Sequence, residues 1–255
     1  MKEPADTDYL RVAQLRDVLA QDHTIEIPGE TRARIEQNRR YLEKKIAEPN
    51  SRHYGINTGF GSLCNVPISP DELDLLQENL VLSHACGMGE EVLPEVVRLM
   101  VFLKVRALGL GYSGIRLETV EKLVELYNRN IQPVVWEVGS LGASGDLAPL
   151  AHLTLPLLGR GTVRYKGEKR PARDVLSELG ISPITLKAKE GLALLNGTQF
   201  MSAWGCWSIL ESRRVCRLAD LTAAISIDAF NASTDPFHHA IHRVRPHKGQ
   251  LEAAA

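Results

Sequence analysis

Four stretches of the sequence hold residue types that can do chemistry. The densest is Gly139-Ser-Leu-Gly142-Ala143-Ser144-Gly145-Asp146-Leu-Ala-Pro149. A glycine nitrogen, unhindered by a Cβ, can approach the carbonyl two residues back when the backbone is forced into a tight turn, so Ala143-Ser144-Gly145 is a candidate for main-chain cyclisation. Ala-Ser-Gly alone would arise by chance in about one chain of this size in ten, and on these residues alone an ordinary helix-entry turn is the simpler reading. The second stretch, Tyr54-Gly-Ile-Asn57-Thr-Gly59-Phe-Gly61, puts a phenol on a glycine-punctuated segment able to move as active-site lids do, or else a packed tyrosine on a structural loop. The third is Asn79-Leu-Val-Leu-Ser83-His84, a polar pair closing an apolar helical run, where a lone histidine is commonly a satisfied core or capping residue. The fourth is Leu194-Leu195-Asn196-Gly197-Thr198-Gln199, where Asn196 is either the N-cap of a long helix or a donor to a ligand carbonyl.

Other motifs lead elsewhere and fail on context. Gly109-Leu-Gly111-Tyr-Ser-Gly114 spells the dinucleotide-binding fingerprint. That motif needs a strand before it and an acidic residue about 20 positions on, whereas the preceding segment reads as helix. His238, His239 and His242 could share a helical face, but the spacing brings no carboxylate or fourth ligand, so no metal is expected. No Gly-Lys-Ser/Thr marks a nucleotide loop.

Thirty Lys and Arg balance thirty-one Asp and Glu for a net charge of −1, with both signs spread along the chain, so neither nucleic acid nor a charged tail is indicated. Cys64, Cys86, Cys206 and Cys216 are widely separated and unlike zinc or dithiol pairs, which suits a reduced, cytoplasmic protein. Acidic residues start at Glu3 and Asp6 with no apolar run behind them, arguing against a signal peptide. The apolar helix from Gln199 to Ile227 is interrupted by Glu211, Arg213, Arg214, Arg217 and Asp220, a poor membrane span.

The elements that must position these stretches are mostly helical. Periodicity predicts helices over Tyr9 to Gln21, Glu30 to Glu48, Pro94 to Leu108 and Leu117 to Arg129, with a short strand at Thr24 to Ile27. Ser69-Pro70-Asp71-Glu72 reads as a capping box opening a further helix. Residues 49–70, rich in Gly and Pro, read as a long irregular loop, and Gly161 to Arg170 as a small hairpin. Asp146 stands as an N-cap with Pro149 early in the next helix. Gln199 to Ile227 predicts a largely buried helix about 40 Å long. The expected class is mainly α: an irregular N-terminal domain over 1–110 carrying the tyrosine loop, then the start of a long-helix bundle over 111–255 carrying the triad and the hairpin. The final Gln250-Leu-Glu-Ala-Ala-Ala255 forms helix without a Gly or Asn stop, which suggests a truncated chain.

Taken in order and at these separations, the four stretches, with Gly111-Tyr-Ser-Gly114-Ile-Arg116 and Arg245-Pro-His-Lys-Gly-Gln250, resemble the histidine and aromatic amino-acid ammonia-lyases. The resemblance runs from about residue 7 to the end. It implies that Ala143, Ser144 and Gly145 form a 4-methylidene-imidazol-5-one autocatalytically, with no metal and no nucleotide, and that Asp146 supports this maturation. It implies Tyr54 as the base that removes a β-proton, a role for which a phenol needs nearby positive dipoles at neutral pH. It implies Asn196 at the prosthetic group and substrate, and Ser83-His84 as the pair that meets the substrate ring. Ser83-His84 resembles the pair in the histidine-specific members, and a polar partner suits a polar ring, since an unpaired buried imidazole nitrogen costs about 1 to 3 kcal/mol. L-histidine, converted to urocanate, is the first expectation. A tyrosine ammonia-lyase or an aminomutase on the same scaffold is the second, and a truncated or partner-requiring chain without activity of its own the third. Family members run to about twice this length and assemble as homo-tetramers, which implies that residues outside this chain complete the site.

Overall fold

The computed structural model describes residues 2–4, 10–20, 22–48 and 52–255. In chain order the elements are β1 (Lys2–Pro4), α1 (Val12–Leu19), β2 (Thr24–Glu26), α2 (Gly29–Ile46), α3 (Leu73–His84), β3 (Met88–Glu91), α4 (Pro94–Gly109) and α5 (Leu117–Asn128). There follow β4 (Gln132–Pro133), β5 (Trp136–Val138), α6 (Leu147–Thr154), β6 (Thr162–Tyr165), β7 (Glu168–Pro171), α7 (Ala172–Glu178), α8 (Glu190–Leu195), α9 (Gln199–Ala229), α10 (His239–Arg243) and α11 (Lys248–Ala254). The chain is mainly α, as the sequence predicts, and it gathers into two compact units, Met1–Trp207 and Ser208–Ala255. The predicted site residues all fall in the first.

That unit is organised on α4, whose Val96, Val97, Leu99, Met100, Val101, Phe102, Val105 and Leu108 are all buried. A helix with so wide an apolar surface has to be enclosed, and α1, α2 and α5 pack against it. Burial of each such side chain contributes about 1.5–3 kcal/mol before conformational entropy is subtracted. A second packing group matters more for the site: α3, α6 and α8 pack mutually. Gly191 permits this, because a Cβ there would lie 2.8 Å from the Gln77 carbonyl on α3. The first turn of α8 is anchored by Glu190, fully buried, whose carboxylate accepts from Arg116, Thr119 Oγ1 and the Lys187 amide.

The strands are short. β1 pairs in parallel with β2, and β3 is antiparallel to β5. The predicted hairpin is β6–β7, closed by Lys166 and Gly167 at φ +51° and +85°, the left-handed pair that two-residue hairpins require, and β4 adds a third antiparallel strand.

Several local expectations change. Tyr9 and Gln21 lie outside the described residues, as do residues 49–51 of the irregular loop. The Ser69 hydroxyl donates to the Glu72 carboxylate at 2.8 Å instead of capping a backbone N–H, and Pro70–Glu72 form a 3₁₀ turn ahead of α3. Asn196 is not the N-cap of the long helix; it is the C-cap of α8, and α9 begins three residues later. The apolar stripe of α9 is buried only near its start, at Phe200, Ala203 and Leu210, while Val215, Leu218, Leu221 and Ile225 are more than half exposed. Amphipathic periodicity says which face seeks cover, not whether the same chain provides it. Gly109 to Gly114 forms the turn between α4 and α5, with no strand before it.

Candidate active site

The mutual packing of α3, α6 and α8 brings three helix ends together: the C-terminal end of α3 with Ser83 and His84, the C-terminal end of α8 with Asn196, and the N-terminal end of α6 with Asp146. Between them lies a cavity of about 730 Å³ whose lining includes Tyr54, His84, Ser144 and Asn196. Residues up to 142 positions apart in sequence thus share one volume, of a size suited to a small ligand. Ser83 lines an adjoining cavity of about 320 Å³ that His84 also borders, so the pair sits between the two.

Within the triad loop the backbone doubles back on itself, with β-type bridges from Gly145 to both Gly142 and Ala143. Gly142 and Gly145 take φ of +80° and +87°, a region that residues with a Cβ avoid. Gly145 is constrained further, because a Cβ there would sit 2.3 Å from the Gly197 carbonyl oxygen. Asp146, 1% exposed, fixes this arrangement. Its amide donates to the Gly197 carbonyl at 2.8 Å, and its carboxylate accepts from Ser140 Oγ at 2.9 Å and from the Met201 amide at 3.0 Å. Asp146 occupies the predicted N-cap position, but its carboxylate ties the loop to the start of α9 instead of capping α6.

The other side chains are equally constrained. His84 Nδ1 lies 2.8 Å from the Leu80 carbonyl, and since a carbonyl only accepts, Nδ1 carries the proton. Nε2 is then a lone-pair acceptor available to a ligand N–H. Tyr54 is 58% exposed, packs edge-on against Phe60 and accepts from the Gly61 amide at 3.3 Å through its hydroxyl oxygen. Asn196 donates its own amide to Leu192, and its carbonyl accepts from Lys104 Nζ at 3.1 Å.

Sequence reasoning passed over four residues. Tyr112 and Ser113, in the turn after α4, line the cavity. Lys189 lines it too, with φ +72° and its ammonium on the Ser113 carbonyl at 2.7 Å; burial holds it below the usual lysine range. Nothing in sequence shows a left-handed lysine. Lys104 had a legible signal, a lysine on the apolar face one turn from Met100 and Leu108. It is 2% exposed, and burial pushes it down to about 7. Conversely, His238, His239 and His242 belong to no metal-ligand cluster among the described residues.

A profile of the aromatic amino acid lyase family matches residues 10–255. A histidine ammonia-lyase of Alkaliphilus metalliredigens is 45% identical over 231 residues, 91% of this chain and 45% of its own. One from Deinococcus radiodurans is 46% identical over 246 residues, covering 96% and 47%. The crystal structure of histidine ammonia-lyase from Trypanosoma cruzi superimposes with a TM-score of 0.91 at 43% identity, over all of this chain and 50% of that one. Tyrosine aminomutase from Streptomyces globisporus gives 0.92 at 35% identity, over 100% and 48%. The chain spans about half the length of the curated relatives it matches. With a matching profile over almost its whole length and this fold, the chain belongs to the aromatic amino acid lyase family.

Proposed function

We propose that this chain provides the electrophile-forming part of a histidine ammonia-lyase, a carbon–nitrogen lyase that converts L-histidine to urocanate and ammonia. The observation that carries this reading is the shared cavity of Tyr54, His84, Ser144 and Asn196 beside a loop already folded from Gly145 onto Ala143.

The residues present fit a methylidene-imidazolone. The Gly145 backbone lies against Gly197 with no room for a Cβ, and Asp146 pins the loop from both sides. Cyclisation joins the Gly145 nitrogen to the Ala143 carbonyl carbon; one water leaves with that carbonyl's oxygen and a second with the Ser144 hydroxyl. The finished group supplies an electrophilic carbon, which no ordinary side chain offers. Around it, His84 Nε2 accepts an N–H of the substrate imidazole, because Nδ1 is held as donor to Leu80. The Asn196 side-chain amide, at the cavity wall, orients the substrate's polar end. Tyr54 removes the β-proton. The Gly61 amide on its oxygen and the Lys189 ammonium in the same cavity supply positive potential on that side.

The same reading places the activity in a cytoplasmic homo-tetramer whose other residues complete the pocket. Cys64, Cys86, Cys206 and Cys216, free thiols here, fit a reducing compartment. No helix among the described residues is long and apolar enough to cross a membrane. Aminomutases among the structural relatives keep readdition of ammonia at the β-carbon as the second reading. Intact mass of the purified chain, beside product analysis on histidine, tyrosine and phenylalanine in the full-length protein, tests both. A deficit of two waters with urocanate as product is expected. An unmodified mass in a folded sample overturns the maturation, and a β-amino acid product moves the reading to the aminomutase.

A further inference from the structure

Lys104 projects from the most enclosed helix of the first unit, is 2% exposed, and has no carboxylate paired with it among the described residues. Burying an ammonium without a counter-ion is costly, and a methionine of similar length would fill the same space without that cost. Packing therefore gives no reason for a lysine at this place. What the ammonium touches is the Asn196 carbonyl, 3.1 Å away, at the C-terminal end of α8. There it meets the negative end of the helix and a carbonyl with no partner inside α8.

That carbonyl belongs to the segment on which the triad loop closes. Two consecutive carbonyls of the α8–α9 connection are held by donors from different elements: Asn196 by Lys104 of α4, and Gly197 by the Asp146 amide at 2.8 Å. Gly145 stacks against Gly197 closely enough that a Cβ would collide with its oxygen. Asn196, carried by the same short segment, lines the cavity shared with Ser144, and its side-chain amide donates to the Leu192 carbonyl at 3.5 Å. Rotation of the Asn196–Gly197 connection would therefore move both the surface that presses Gly145 towards Ala143 and the amide beside Ser144.

We propose that Lys104 is a positioning residue, which through its bond to the Asn196 carbonyl holds the Asn196–Gly197 connection where the Ala143-Ser144-Gly145 loop can cyclise and the Asn196 amide can face Ser144. The part concerning cyclisation rests on the maturation proposed above; the part concerning the connection does not. The roles are separable. Asp146 fixes the loop side of the contact, and Lys104 fixes the side carrying Asn196.

The test uses the 255-residue chain as wild type, Lys104→Met and Lys104→Arg, with two readouts. Hydrogen exchange of the segment 196–201 is compared with that of α5, and the rate of loss of two waters is followed by intact mass. Lys104→Met is expected to keep its helical circular dichroism, to raise exchange in 196–201 at least tenfold with α5 unchanged, and to slow dehydration at least tenfold. Lys104→Arg, which keeps a buried donor, restores both. Lys104→Gln, polar but too short for the contact, gives the same reading should the methionine variant not fold. The proposal is overturned if Lys104→Met and Lys104→Gln protect 196–201 and dehydrate as wild type does, or if exchange rises equally in α5, which would make Lys104 merely structural. If the wild type itself keeps both waters, the maturation reading fails, while the exchange comparison still decides the role of Lys104.

Discussion

The Asp146 amide donates to the Gly197 carbonyl at 2.8 Å, and the N-cap of α6 is thereby locked to the α8–α9 connection at the point where the triad loop meets the start of α9. The same residue's carboxylate reaches Met201 and Ser140, so one buried side chain joins the beginning of the loop, its end and the helix behind it. Residues 140 to 146 have little freedom left once these bonds form, and the entropy of bringing Gly145 to Ala143 is lost in folding, ahead of the proposed cyclisation.

Removing that clamp should show in stability and in maturation. Asp146→Ala leaves the Met201 N–H and the Ser140 hydroxyl without their acceptor, at a cost of about 1–3 kcal/mol. Asp146→Asn should cost less, about 1 kcal/mol, because the serine hydroxyl can turn to accept from the new amide. Urea unfolding gives the order, and intact mass should show dehydration slowed most in the alanine variant.

Gly145→Ala meets two obstacles, a left-handed φ of +87° and a Cβ 2.3 Å from the Gly197 oxygen. The first costs about 1–2 kcal/mol. The second cannot relax cheaply, since Asp146 holds that oxygen. A lower thermal midpoint together with complete loss of the two-water deficit is the expected result.

Ser144→Ala separates chemistry from folding. Ser144 is exposed in this chain, so its stability should change by no more than about 0.5 kcal/mol. Its mass should nevertheless show no loss of the side-chain water. Retention of the full deficit in this variant would exclude Ser144 as the source of the methylidene.

Lys104 gives stability a pH dependence whose sign follows from its burial. Its folded-state value, about 7, lies below the ordinary 10.5, so between these limits the unfolded chain binds the extra proton. Stability should rise with pH across that window and level off above it. The contact survives, because a neutral amine still donates to the Asn196 carbonyl. A urea midpoint that climbs above pH 7 in wild type and stays flatter in Lys104→Met checks the assignment.

On the proposed function, His84→Leu should change substrate preference. Loss of the Nε2 acceptor leaves a substrate imidazole N–H unpaired, lowering kcat/KM for histidine by about 10- to 100-fold. Phenylalanine should gain relative to histidine. Steady-state kinetics on both substrates measures the shift.

The sequence by itself determined the mainly helical class, because α2, α4, α5 and α9 carry apolar residues at helical period over ten or more residues. It also determined the hairpin, through the Lys166-Gly167 turn, and it picked out the candidate stretches as motifs. Periodicity has no purchase on shorter pieces: α8 has six residues, fewer than two full turns, so Asn196 read as the start of the helix after it instead of the end of the one before. Nor does a residue type disclose its partner. The Asp146 carboxylate was legible as a cap, yet it serves Met201, 55 residues away, and Lys189 adopts a left-handed backbone that its neighbours in sequence do not announce.

Only the tertiary structure decided that Tyr54, His84, Ser144 and Asn196 share one cavity, because that depends on the ends of α3, α6 and α8 meeting. The close approach at Gly191, the buried Glu190 and the Asp146 clamp bring them there, and each is a contact between residues far apart in the chain. Local pattern fixes which elements form and which face of each is apolar. Which ends come together is set by packing and by the satisfaction of buried polar groups, and these exist only once the chain has folded.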